Sequence, residues 1–122
     1  MAERVRAFFD EENRVIRQEI FVAMTESDFN ELVEQTGNAA QKLPDPDNIR
    51  ILARDTMARK LSSKVRRKSR DLLKDPRLKK IAVLGGVGGV MKAMIIFVNL
   101  GSGTSKLKWF PDEKSALEWL RE

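Results

Sequence analysis

The stretch that most constrains this chain lies at residues 80–98, KIAVLGGVGGVMKAMIIFV. A short apolar run is followed by four glycines, Gly85, Gly86, Gly88 and Gly89, and then by a second apolar run. This pattern predicts a buried strand, a glycine-rich loop and a helix. In an open α/β sheet such a unit presents backbone N–H groups at the carboxyl edge of the strands, where ligands usually bind.

The composition narrows the possible chemistry. The chain has 122 residues, which predicts a single domain spanning residues 1–122, and it contains no cysteine, histidine or tyrosine. Disulfides, thiolate chemistry, cysteine- or histidine-ligated metals and histidine general bases are therefore excluded. No pair of carboxylates stands at a spacing that suggests catalysis. We therefore expect a protein that is not an enzyme and that needs no metal or cofactor.

The sequence also predicts where the protein resides. The start, MAERVRAFF, carries charges without a long apolar run behind them, which is not the pattern of a secretory signal. The longest apolar run, residues 90–98, is interrupted by Lys92 and is too short for a transmembrane segment. The expectation is a cytoplasmic protein.

Alternation and helical periodicity divide the chain into nine elements. Val5, Ala7 and Phe9 alternate with polar residues, and residues 14–22 resume an extended pattern after a short polar turn, which predicts an antiparallel hairpin. The remaining pattern predicts helices over 25–43, 57–74, 90–100 and 112–120 and strands over 48–53, 79–84 and 106–110. The order ββαβαβαβα indicates an α/β fold: a mixed five-stranded sheet with four helices and right-handed crossovers.

Two segments resemble a known family. The apolar strand KKIAVLGG and the ending FPDEKSALEWL are similar to those of the SpoIIAA-like branch of the STAS domains. This family includes anti-sigma-factor antagonists and the cytoplasmic parts of sulphate transporters. The resemblance implies the STAS fold over nearly the whole chain and a regulatory role with a protein partner.

A phosphorylation switch does not follow from the resemblance. The antagonists carry the regulated serine in an Asp-Ser-Ser-Gly motif at the start of the helix after the third strand. The matching region here is Arg54-Asp55-Thr56-Met57, and Ser62-Ser63 lacks both the preceding aspartate and the following glycine. Whether Thr56, Ser62 or Ser63 is modified stays open. Capping of the next helix by Asp55 or Thr56 is sufficient to explain these two residues.

The glycine loop has a ligand-binding and a structural interpretation. Its amides suit a phosphate or carboxylate, yet Met91 breaks the GxGxxG pattern and no Walker loop is present. A tight turn packed closely on the sheet is the structural alternative. If a small anionic or lipid-like ligand binds, the expected residues are those of the carboxyl edge: Asp55, Thr56, Gly85, Gly86, Gly88 and Gly89.

The predicted helix 90–100 is apolar all round, which requires cover on two sides. The sheet covers one side, and a partner subunit, a lipid-like ligand or another helix would cover the other. We expect a homodimer, with an interface formed by Val90, Ala93, Met94 and Phe97. A hydrophobic ligand pocket is the alternative.

The positive charge is concentrated in one segment. Residues 57–80 hold 11 basic and 2 acidic side chains, whereas residues 1–56 hold 7 basic and 12 acidic ones. The alternative function is therefore nucleic-acid or polyanion binding through the helix 57–74, using Arg66, Arg67, Arg70 and Lys74. The absence of an aromatic residue for stacking disfavours nucleic acid, and the narrow apolar stripe disfavours a membrane. A solvated face that balances the acidic half is the structural interpretation.

The sequence thus predicts a non-enzymatic binding or regulatory module, dimeric, with a possible small ligand at the carboxyl edge of its sheet. The ligand, the partner and the dimer geometry are not determined by the sequence.

Overall fold

The computed structural model describes residues 3–55, 62–85, 95, 99 and 103–122. Five strands and three helices lie within these residues. Their bounds are β1 Val5–Asp10, β2 Val15–Ile20, α1 Glu26–Ala40, β3 Ile49–Asp55, α2 Ser63–Leu73, β4 Leu78–Leu84, β5 Leu107–Trp109 and α3 Glu113–Arg121.

The N-terminal hairpin forms where the alternation predicts it. β1 and β2 pair antiparallel, with Val5 opposite Ile20 and Asp10 opposite Val15. The turn is closed by Asp10, whose carbonyl accepts a hydrogen bond from the Arg14 amide at 2.8 Å. Arg14 adopts a positive φ of 57°, which lets the chain reverse within so few residues.

The sheet is mixed, as predicted, and its strands lie in the order β1-β2-β3-β4-β5. Only the β1–β2 pair is antiparallel, and the other three pairs are parallel. Because side chains alternate along each strand, the sheet has two distinct faces. The cavity face carries Gln18, Ile51, Ala53, Ile81 and Val83 and packs against α1 and α2. The α3 face carries Leu52, Ala82 and Leu84 and packs against α3.

The helix count differs from the prediction. Three helices are described instead of four, so the described elements follow the order ββαβαββα. The predicted helix 90–100 lies outside the described residues except for Ile95 and Asn99, which both have helical backbone. Ile95 is buried and packs with Val83 on the cavity face of the sheet. No helix in the described part of the chain is long and apolar enough to cross a bilayer.

The start of α2 also corrects the sequence analysis. Asp55 is the last residue of β3 and not a helix cap, and Thr56 lies outside the described residues. The cap of α2 is Ser62, which has extended backbone and accepts a hydrogen bond from the Val65 amide at 3.2 Å. A serine hydroxyl at this position satisfies an amide that the helix leaves unpaired.

The start of α1 is held by a carboxylate that is only 7% exposed. Asp28 accepts hydrogen bonds from the amide and the hydroxyl of Thr25, while its own amide donates to the Thr25 hydroxyl oxygen, which forms a capping box. Arg4 donates two further hydrogen bonds to the carboxylate, at 2.8 and 3.0 Å. Together these bonds hold the pKa of Asp28 well below its usual range, and the side-chain hydrogen bonding from Arg4 contributes most.

We expect the substitution Asp28→Asn to lower the free energy of unfolding by about 2 kcal/mol at pH 7, the usual size for hydrogen bonds to a charged group. The folded-state pKa is depressed, so this stabilisation is fully present above the unfolded pKa of about 4 and is lost as pH falls below it. Urea unfolding of both proteins between pH 6 and pH 2 measures the difference. Glu34→Gln, an exposed carboxylate of the same helix, is the control. A difference that stayed constant down to pH 2 would contradict the assignment.

Both edges of the described sheet are blocked by side-chain amides. At β1, the outward-facing amide of Ala7 donates to Oε1 of Gln35 on α1 at 2.8 Å. At β5, the carbonyl of Leu107 accepts a hydrogen bond from Nδ2 of Asn99 at 2.9 Å. An edge strand normally presents unpaired backbone groups, and here the middle of each edge is satisfied from within the chain.

Candidate ligand-binding cavity

A cavity of about 430 Å³ lies between the cavity face of the sheet and helices α1 and α2. This volume falls within the range of about 300–1,000 Å³ that is usual for small-molecule sites. The floor is formed by strand residues such as Ile51, Ala53 and Val83, and the walls by Phe29 and Val33 of α1 and Leu73 of α2. The lining is predominantly apolar.

The cavity exists because α1 carries small side chains where it faces α2. Thr36, Gly37 and Ala40 line the cavity in the second half of α1. A Cβ built on Gly37 would meet no atom within 4 Å. Bulky residues at these positions would fill the space, so the short side chains leave the volume open.

The two helices are held together at their N-terminal halves. Lys68 of α2 pairs with Glu26 of α1 at 3.1 Å and donates to Oδ1 of Asn30 at 2.9 Å. Lys64 lies 3.7 Å from the same Glu26 carboxylate. Lys68 first, and then Lys64, lowers the pKa of Glu26, so the Glu26 carboxylate stays ionised at neutral pH. The contacts close one end of the groove between the helices.

The mouth of the cavity lies at the opposite end. The solvent-exposed residues of the lining come from the C-terminal halves of α1 and α2 and the loops that follow; they are Gly37, Gln41, Pro46, Leu72 and Arg77. Because both helices run away from the carboxyl edge, the mouth opens toward the amino edge of the sheet. The apolar Leu72 is 37% exposed at this opening.

The charges at the mouth neutralise each other. Arg77 donates from Nε and Nη2 to the two carboxylate oxygens of Asp75, at 3.2 and 2.8 Å, and its amide donates to the same carboxylate. The Arg77 side chain is the main reason that the pKa of Asp75 falls to about 2. Deeper in the cavity, Gln18 donates to the Thr36 hydroxyl oxygen at 3.0 Å, and Thr36 donates to the Leu32 carbonyl. Because these polar groups are paired with each other, the apolar part of the lining is the part left to contact a ligand.

The carboxyl edge, where the sequence places a ligand, holds a tight structural junction. Gly85 has a φ of +93°, and a Cβ at this position would lie 2.4 Å from the carbonyl oxygen of Asp55. Trp109 at the end of β5 donates from Nε1 to the Gly85 carbonyl at 3.1 Å. The ends of β3, β4 and β5 are therefore joined. Asp55 also lines the inner end of the cavity.

The structure describes only some of the remaining predicted site residues. Thr56, Gly86, Gly88 and Gly89 of the predicted ligand edge lie outside the described residues, as do Val90, Ala93, Met94 and Phe97 of the predicted interface. The basic residues Arg66, Arg67, Arg70 and Lys74 are described and lie on α2 and its C-cap. No three carboxylates within 3–55, 62–85 and 103–122 are placed to hold a metal ion.

Sequence reasoning placed a ligand in a crevice at the carboxyl edge or in an apolar pocket against the helix 90–100, of which Ile95 lines the cavity, and it did not predict the part of the cavity between α1 and α2. Such a crevice forms where strand order reverses, and the described strands follow one another without reversal. The residues that form the mouth, Gly37 above all, were not singled out. The signal was a glycine within an otherwise regular helical pattern, which usually has a packing or functional reason.

The fold defines a small α/β domain with a mixed five-stranded sheet. Residues 15–121 match the SpoIIAA-like family, and the chain belongs to that family. No match was found among curated proteins or solved structures. Domains of this kind are generally non-enzymatic and act as regulatory modules that interact with other proteins.

Proposed function

We propose that this protein is a regulatory module that binds a small apolar, lipid-like molecule in the cavity between α1, α2 and the sheet. The observation that carries the proposal is the cavity itself: about 430 Å³, with a predominantly apolar lining. Apolar side chains that line a volume of this size gain favourable contacts when an apolar molecule fills it. A ligand with an apolar chain would supply them.

The paired charges at the mouth define the ligand class more closely. Arg77 forms an ion pair with Asp75, so its positive charge is already compensated and does not select a negatively charged headgroup. Affinity comes from burial of the apolar chain, at roughly 25 cal/mol per Å² of surface removed from water. A neutral amphiphile is therefore as good a ligand as an anionic one.

The proposal retains the expected homodimer, with Val90, Ala93, Met94 and Phe97 as its interface. Native mass spectrometry of the protein purified from its own cells reports subunit number and retained small molecules together. The mass of a dimer supports the proposed homodimer, and a subunit mass increased by a bound lipid supports the proposed ligand. A bare monomer would count against both.

The cavity is tested by calorimetric titration with dodecanol and dodecanoate. We expect both to bind with similar affinity, and Gly37→Leu to weaken both by about tenfold or more, since its side chain enters the mouth and removes about 1.4 kcal/mol or more of binding free energy. Gly37→Ala, which adds only a Cβ into open space, is the matched control and should bind as the parent does. Unchanged binding by a folded Gly37→Leu protein, or binding of dodecanoate alone, would contradict the proposed site.

A further inference from the structure

Helix α2 carries its positive charges on two flanks that differ in their surroundings. On the flank that faces α1, Lys64 and Lys68 meet Glu26 and Asn30. The two lysines are four residues apart, and so are their partners on α1. α1 contains no basic side chain. The fold itself thus shows how α2 contacts an acidic helix: two cations one turn apart share the Glu26 carboxylate, and Lys68 also reaches Asn30, one turn further along α1.

The other flank carries a second set of cations. We define the basic stripe as Arg66, Arg67, Arg70 and Lys74. Arg67 and Lys74 are exposed, and Arg66 and Arg70 are half-buried. None of the ion pairs formed by the described residues involves a member of the stripe.

This arrangement is unfavourable for α2 on its own. Arg66, Arg70 and Lys74 are four residues apart, and like charges at that spacing repel each other. The first turn of α2 contains no acidic residue but does contain Lys64 and Arg66, opposite to what the helix dipole favours. A negatively charged partner along the stripe would relieve the repulsion among its cations and the unfavourable position of Arg66.

The geometry of the stripe indicates the chemistry of that partner. Steps of four residues on a helix are about 6 Å apart, which matches glutamates spaced four residues apart on a second helix. The stripe contains no aromatic residue on which an unpaired base could stack. Of the apolar residues of α2, Val65 and Leu73 are buried in the fold and Leu72 is partly exposed, so α2 has no large apolar face left to insert into a membrane.

From these observations we propose that the basic stripe is a docking surface for an acidic helix of a protein partner. The partner would lie along α2 as α1 does on the opposite flank, with its carboxylates contacting Arg66, Arg67, Arg70 and Lys74. This surface is separate from the cavity mouth and does not depend on whether the cavity holds a ligand.

The probe is an alanine-based peptide of about 20 residues, long enough to be helical alone, with a glutamate at every fourth position. The matched peptide has glutamine at those positions. We expect the glutamate peptide to bind, and the double substitution Arg67→Glu/Arg70→Glu to weaken binding about tenfold, because two attractive pairs become repulsive. Lys114→Glu, an exposed cation at the start of α3, should change affinity by less than about twofold. Added salt should weaken binding, as for any exposed charge pairing.

The outcomes separate this proposal from its competitors and from the cavity. Equal binding of the glutamine peptide, or full binding to the folded Arg67→Glu/Arg70→Glu protein, would overturn it. If a DNA duplex or phosphatidylserine vesicles bind and the peptide does not, the basic stripe binds another polyanion and the proposal is overturned. Gly37→Leu should leave peptide affinity unchanged, so loss of lipid binding and loss of docking are distinguishable.

Discussion

Replacing Gly85 with alanine lowers the free energy of unfolding by about 3 kcal/mol or more, from positive-φ strain together with overpacking. The new Cβ would lie 2.4 Å from the backbone carbonyl oxygen of Asp55, and the φ of +93° disfavours any side chain. Neither strand end can yield easily, because Asp55 belongs to β3 and Trp109 binds the Gly85 carbonyl. Urea unfolding measures the loss, and a shift in tryptophan emission reports whether the Trp109 contact is broken.

Two other glycines are the matched controls for Gly85. Gly103 also has a positive φ, +71°, but a Cβ added to it would meet no atom within 4 Å. Gly103→Ala should therefore lower the free energy of unfolding by about 1 kcal/mol, from the strain of a positive φ alone. Gly37→Ala adds a Cβ in open space within a helix and should stabilise the protein by about 0.5–1 kcal/mol. Equal losses for Gly85→Ala and Gly103→Ala would show that the contact with Asp55 adds nothing to the cost at Gly85.

Replacing Leu120 with alanine lowers the free energy of unfolding by about 3 kcal/mol, within the usual range for a fully buried leucine. Leu120 has no exposed surface and packs with Leu52, Ala82 and Leu84 beneath α3. Because the surrounding side chains can relax only partly, the deleted atoms leave a void among them. Differential scanning calorimetry and urea unfolding both measure the effect.

Leu72→Ala is the control for Leu120, because the same atoms are removed from a side chain that is 37% exposed at the cavity mouth. We expect it to cost less than about 1 kcal/mol. If the two substitutions cost the same, α3 would not form a close-packed layer on the sheet.

Leu72→Ala should also widen the mouth, so dodecanol is expected to enter faster.

The strands could be predicted from the sequence because their signal is local. The alternation of apolar and polar residues predicts β1 and β2, because alternate side chains of a strand face opposite sides of the sheet. The apolar run before the glycines predicts β4. The start of α2 could not be placed in this way. Residues 57–74 show only a narrow apolar stripe among basic side chains, and the cap at Ser62 depends on a backbone conformation that the charge pattern does not encode.

The candidate site was only partly predictable. Asp55 and Gly85 were expected to be neighbours because parallel strands end at one edge, and the structure brings them together. The cavity depends instead on the separation of two helices, which is set by the size of side chains such as Gly37 and Ala40 against residues distant in sequence. Periodicity shows which side of a helix faces inward, but not how far it stands from its neighbour.

The amides of Gln35 and Asn99 have a consequence for how this protein behaves in a crowded solution. Each occupies a backbone position at which a foreign strand would begin to pair with β1 or β5. Growth of the sheet from one molecule to the next, the first step toward amyloid-like aggregation, is therefore hindered at both ends. Association with other molecules is left to helix surfaces, where the choice of partner depends on side chains and not on a backbone ladder that any extended chain could join.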